Sequence, residues 1–153
     1  MNTRAAIDAF LAHRRLAFAG LSRNPLDFSR SLFHEFLNRG YQVVPVNPNA
    51  SEIEGFPCFP SLSAIPQPVE AAILLTRPEA ADRIVADCAR AGVQHIWLYR
   101  ATGSGSATAA QLFCSRHNIS LVAGECPFMF FPDPAWPHRL HGLCRKLFST
   151  YPQ

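Results

Sequence analysis

Three arginines stand just beyond apolar runs: Arg23 after LAFAGLS, Arg77 after AAILLT and Arg100 after HIWLY. A fourth, Arg30, opens an amphipathic stretch. A guanidinium is a planar fork that never loses its charge and matches the oxygens of a phosphate. The residues around the first arginine belong to the same chemistry. Gly20, Ser22, Arg23 and Asn24 form a tight polar turn after an apolar run, and Ser29 and Arg30 stand at the start of the stretch that follows. The amide groups of a helix start also attract anions. Taken alone, these arginines fit either a phosphate site or solvated loops, and Gly20 fits either a ligand turn or a plain tight turn.

The elements that must position these residues are legible from periodicity. Ala5 to Arg14 carries Ile7, Phe10 and Leu11 on one face of a short helix. Leu16–Leu21, Tyr41–Val46, Val69–Leu75, Val93–Tyr99 and Ile119–Ala123 are short apolar runs, read as buried strands. Between them lie helices at Ser29–Gly40, from Pro78 towards Gly92, and from about Ala107 to His117. A loop-rich segment, Ala50 to Pro68, holds a short extended piece at Phe56–Phe59. Strands that alternate with helices imply a parallel sheet covered on both faces, a Rossmann-like, doubly wound α/β fold of five mainly parallel strands. The loops after the strands then share one edge of the sheet, where ligands bind. Gly20, Ser22, Arg23 and Asn24, Asn47 and Pro48, Thr76, Arg77 and Pro78, and Arg100 with Thr102, Gly103 and Ser104 all fall there.

What ligand suits that edge is narrowed by two departures from a dinucleotide-binding pattern. The second and third glycines of GxGxxG are absent, so the close approach of a pyrophosphate to the backbone seen in NAD folds is hindered and side-chain contacts are favoured. After the second strand the chain reads Pro45-Val46-Asn47-Pro48-Asn49. An acid there would bond the adenosine ribose 2′-hydroxyl of NAD and repel a ribose phosphate. Its absence admits NADP or coenzyme A, and the broken glycine pattern counts against NADP.

Bulk properties bound the rest. The chain has 153 residues, 48% of them hydrophobic and 16% charged, which suits one globular domain. A formal charge of +3 does not point to nucleic acid. The amino-terminal MNTRAAIDAFLAHRR lacks the apolar core of a signal peptide, and no run approaches the ~20 apolar residues of a membrane span, so a cytoplasmic protein is expected. Five cysteines without a CxxC pair fit reduced thiols rather than a disulfide framework or zinc site. There is no GxSxG elbow and no Walker A lysine. Glu35, Glu125 and the histidines show no acid–base pairing, and His138 and His141, three apart, lack further partners for a metal site.

GLSRNP, PVNPNASEIEGFPCFPSLSAIP, LLTRP and HIWLYR, in this order, resemble small single-domain CoA-binding proteins. The pattern is similar to the CoA-binding domain of the succinyl-CoA synthetase α subunit and runs from about Leu16 to Cys126. The resemblance implies that Gly20, Ser22, Arg23 and Asn24 cradle phosphates, with Ser29 and Arg30 at the helix start. It places Val46, Asn47 and Pro48 beside the adenosine, and Thr76, Arg77 and Pro78 along the pantetheine or pyrophosphate. The expected ligand is therefore coenzyme A or an acyl-CoA, bound without catalysis. An NADP-linked oxidoreductase or one subunit of an acyl-CoA ligase is the alternative. Two places depart from the family: IWLYRA replaces VWLQxG after the fourth strand, and Gly124-Glu125-Cys126-Pro127 lacks the arginine of Asp-Arg-Cys.

Residues 1–126 are thus expected to form the domain and 127–153 a C-terminal extension. Trp136, Leu140, Leu143, Leu147 and Phe148 give that extension an amphipathic helix able to pack on the domain, to contact a second copy, to cover the ligand or to offer a surface to an acidic partner, and the expected partner of the protein is a second copy or a CoA-dependent enzyme.

Overall fold

The computed structural model describes residues 2–76, 78–99 and 104–131. The extension's expected helix, and Arg77, Arg100, Thr102 and Gly103, lie outside these described residues. The fold opens with α1 (Arg4–Ala12), whose first turn is capped by the Thr3 hydroxyl accepting from the Ala6 amide at 3.1 Å. Next come β1 (Arg15–Ala19), α2 (Phe28–Asn38) and β2 (Gln42–Val46). Two short strands, β3 (Glu52–Ile53) and β4 (Phe56–Pro57), precede β5 (Ala71–Leu74). The chain continues through α3 (Pro78–Arg90), β6 (His95–Leu98), α4 (Ser104–Arg116) and β7 (Ser120–Ala123), and reaches a single 3₁₀ turn at Pro127–Met129.

Five strands form one sheet in the order β2-β1-β5-β6-β7, every neighbouring pair parallel. This is the α/β architecture expected from the alternation of apolar runs and helical stretches. After β2 the chain passes over β1 to start β5 on its other side, so the order reverses between β1 and β5. Loops diverge at such a point and leave a crevice at the carboxyl ends of the strands.

Alternation along the strands sorts side chains to two cores. Leu16, Phe18, Ile73 and Trp97 face α1 and α2, with Phe10, Phe33 and Phe36 packed on them. Ala17, Ala19, Ala72, Leu74, Ile96 and Leu98 face α3 and α4, with Val85, Cys88 and Cys114. The three alanines make the second face shallow, which lets its helices lie close to the sheet. Met129, Phe130 and Phe131 are buried in the first core, Phe131 against Phe36 at a ring separation of 5.0 Å. The packed fold therefore continues beyond Cys126.

The structure differs locally from the sequence reading in two places. The loop-rich segment contains an antiparallel hairpin, β3–β4, where only an extended piece was expected. Its turn residues Glu54 and Gly55 both have positive φ, 52° and 79°, as a two-residue hairpin turn requires. Strands of two residues are too short to show alternation. Helix α4 begins at Ser104, ahead of the expected Ala107, so Ser104-Gly105-Ser106 is helical despite weak propensity. Among the described residues no helix is long and apolar enough to cross a membrane.

Candidate functional site

The carboxyl edge of the sheet holds an open cleft of about 1110 Å³. Four segments line it: Gly20 to Asn24 and Leu26 to Ser29 after β1, Asn47 and Asn49 after β2, Leu75 and Thr76 after β5, and Tyr99 after β6. It lies where the strand order reverses. Two smaller grooves of about 360 Å³ occur on the β2 edge and between α3 and α4.

Gly20 makes the cleft's geometry possible. Its φ is +90°, and a Cβ built there would stand 2.7 Å from the Leu75 carbonyl oxygen and 3.3 Å from the Thr76 Cγ2. Its amide donates to the Val46 carbonyl at 3.1 Å. The residue thus ties the end of β1 to β2 while resting against the backbone of the β5 loop. No side chain fits in that position.

From Gly20 to Ser29 the loop bonds largely to itself. The Ser22 amide donates to Ser29 Oγ (3.0 Å), the Asn24 amide to Ser22 Oγ (3.1 Å), and the Leu26 amide to Asn24 Oδ1 (3.0 Å). Asp27 caps α2: its Oδ1 accepts from the Ser29 amide at 2.8 Å, and its carbonyl accepts from the Arg30 amide at 3.0 Å. The sequence suggested free amides at this helix start, but the Ser29 and Arg30 amides are taken by Asp27. From the β2 side, Asn47 Nδ2 donates to the Leu21 carbonyl at 2.9 Å while its Oδ1 accepts from the Asn49 amide at 2.8 Å. Ser22, Asn24, Ser29 and Asn47 therefore hold the loop in shape.

Arg30 does not line the cleft among the described residues. It is 6% exposed, donates to the Ser22 carbonyl at 3.0 Å, and forms an ion pair with Glu54 in the hairpin turn. His34 reaches the same carboxylate at 3.0 Å. The Arg30 hydrogen bond holds the Glu54 carboxyl below its ordinary range against the opposing effect of burial, and His34 adds to the lowering. Arg30 is thus a brace beneath the loop.

The other expected site residues fall as follows. Arg23 is exposed on the cleft wall and is the only cation among the described lining residues; Asp27 is their only anion. Val46 is buried in the second core and reaches the site through its carbonyl. Pro48 is exposed beside the cleft and is not part of its lining. Thr76 lines the cleft with its Oγ1 out of solvent and without a partner. Pro78 opens α3. Leu26, Asp27, Phe28, Asn49, Leu75 and Tyr99 join the lining although the sequence reading did not place them there. Asp27 was open to recognition as an N-cap, and Tyr99 as the last residue of its apolar run.

Phe28 and Tyr99 stack with ring centroids 5.0 Å apart and planes 15° from parallel. Phe128 meets Phe28 edge-on at 5.9 Å.

Burial raises Cys58, Cys88 and Cys126 above the ordinary thiol range and pushes Cys114 up to about 11. Among the described residues no three histidine, cysteine or carboxylate side chains come together as a metal site.

Comparison with known proteins adds a lineage to this geometry. Part of the chain is similar to two acetate–CoA ligases (ADP-forming) of Archaeoglobus fulgidus. With ligase I the chain is 32% identical over 79 residues, which cover 52% of this chain and 12% of the ligase. With ligase II it is 36% identical over 53 residues, 35% of this chain and 8% of the ligase. The matched part is thus a small fraction of either enzyme.

In three dimensions the fold is similar to a hypothetical protein from Pyrococcus horikoshii OT3, with a TM-score of 0.74 at 24% identity, covering 83% of this chain and 87% of that one. It is also similar to the dinucleotide-forming acetyl-coenzyme A synthetase 1 of Ca. Korarchaeum cryptofilum. There the TM-score is 0.65 at 21% identity, covering 72% of this chain and 26% of the synthetase. Residues 14–132 match a family described as the CoA binding domain, the same stretch that builds the sheet, the cleft and the aromatic core beneath it, and the chain belongs to that family.

Proposed function

We propose that the chain binds coenzyme A or an acyl-CoA in the cleft above β2, β1, β5 and β6, and that it catalyses no reaction by itself. One observation carries the reading. In a member of the CoA binding domain family, the loop around Gly20 and Arg23 faces a β2 end that bears Asn47 where NAD-binding folds bear an acid. A ribose phosphate is tolerated beside an amide and repelled by a carboxylate. In this reading the adenosine lies towards Asn47 and Asn49, the phosphates lie near Arg23, and the long arm crosses Thr76. Arg77 and Arg100, by their place in the sequence, would add charge to the same edge.

The non-catalytic part rests on what the cleft offers chemically. Its described lining holds no histidine, cysteine or lysine, and its one carboxylate caps α2. Among the described residues four cysteines are free, three of them buried, which suits a cytoplasmic location.

Isothermal titration with CoA, acetyl-CoA, NADP and NAD in parallel tests the proposal. Micromolar CoA binding with flat nicotinamide traces is expected. Dephospho-CoA should bind more weakly than CoA, and equal affinity would mean that the ribose phosphate is not read. Heat with NADP and none with CoA would replace this reading by the nicotinamide one.

A second reading is favoured by the similarity to the ligases. In it the chain is the CoA-binding part of an acyl-CoA ligase completed by another chain. Supplied with acetyl-CoA, ADP and phosphate, the chain alone should form no ATP. ATP formation would place catalysis within it.

A further inference from the structure

The lining of the cleft changes character from one end to the other. At the β2 end stand Asn47 and Asn49, and at the β6 end stands Tyr99, stacked on Phe28. Neighbouring strands lie ~4.8 Å apart, so three spacings separate the β2 and β6 ends by roughly 14 Å. Under the CoA reading, on which this inference rests, an adenosine at Asn47 and a pyrophosphate near Arg23 send the pantetheine arm over Leu75 and Thr76. The arm then delivers its sulfur, and whatever acyl group it carries, towards Tyr99.

What the arm meets there is a built wall. Phe28 and Tyr99 both line the cleft and both are only half-buried. Phe128 meets Phe28 edge-on and also packs against Phe131, which is 4% exposed in the first core. The stacked pair is therefore backed by packed aromatic rings and cannot easily turn aside. A free thiol gains little from such a surface, whereas a flat apolar group gains burial and ring contact. The geometry points to an acyl subsite at the β6 end that takes an aromatic acyl group, with Phe28 and Tyr99 as the residues that determine specificity.

The test is titration of the full chain with CoA, acetyl-CoA and benzoyl-CoA, repeated for Phe28→Leu and Tyr99→Leu, whose melting curves are recorded alongside. Benzoyl-CoA is expected to bind the unaltered chain about tenfold more tightly than CoA, with acetyl-CoA close to CoA. In each leucine variant the ratio of benzoyl-CoA to CoA affinity should fall towards one. Benzoyl-CoA binding no tighter than CoA in the unaltered chain overturns the acyl subsite while leaving the CoA reading in place. A tenfold preference that persists in both folded variants removes Phe28 and Tyr99 from it. Absence of binding by all three compounds overturns the CoA reading, and this inference with it. If neither variant folds, the ratio measured on the unaltered chain decides alone.

Discussion

Gly20 answers to two separate constraints, its own backbone conformation and the backbone of a neighbouring loop. A left-handed φ costs an L-residue about 1–2 kcal/mol, and the 2.7 Å approach to the Leu75 carbonyl adds a clash with main chain that cannot rotate away. Gly20→Ala should therefore lower the unfolding free energy by roughly 2–4 kcal/mol, read as a shifted urea midpoint. Arg23 answers to neither constraint, since it is exposed on the wall. Arg23→Ala should change the unfolding free energy, read from the urea midpoint, by no more than about 0.5 kcal/mol while weakening CoA binding by more than about 1 kcal/mol in titration. At this scale the sequence named Gly20, Ser22, Arg23, Asn24, Ser29, Asn47 and Thr76, which line the cleft, without telling what each of them does. Arg23 and Arg30 are the same residue type at the same edge, yet one faces the cleft and the other is locked under it. The hairpin partner Glu54 and the Ser22 carbonyl separate their roles, and nothing in the spacing of the sequence announces those contacts.

Helix α2, the β3–β4 hairpin and the loop after β1 are joined through that ion pair. Removing the carboxylate leaves a buried guanidinium without its partner. Because Glu54 keeps 29% of its side chain exposed, Glu54→Gln should cost roughly 2 kcal/mol, below the ~3–5 kcal/mol of a fully buried pair. Its pH signature follows from the lowered carboxyl of Glu54. A group whose folded pKa lies below its unfolded one stabilises the fold above the unfolded value, near 4.5 here, and loses that contribution as pH falls through the folded value. Urea midpoints measured from pH 6 to pH 3 should drop less in the glutamine variant than in the unaltered chain. Among the elements, the five strands of the sheet were legible because each is a short run of mostly apolar residues, buried at every position in β5. The hairpin was not, because its strands have two residues each and its stability comes from packing and the Arg30 pair rather than from pattern.

Taken whole, the molecule has an aromatic face and a shallow one. The aromatic face is completed by residues 127–131, which a reading of strands and helices alone assigns to an extension. Phe131 is 4% exposed, packs on Phe36 and lies under the Arg39 guanidinium at 4.4 Å. Phe131→Ala should cost about 3–5 kcal/mol in denaturant unfolding, as a core phenylalanine does. A surface segment would cost almost nothing. The run Phe128-Met129-Phe130-Phe131 lacks period and strand context, so its place in the core was not readable until the sheet and α2 gave it a surface. The loop after β1 has a further consequence when set on this body. It leaves β1 between β2 and β5, and many of its amides are already bonded within the loop. A loop so arranged has little ordering entropy left to lose when an anion arrives. Association should then be set by diffusion and charge, with an on-rate that falls as salt rises, rather than by a slow closing step.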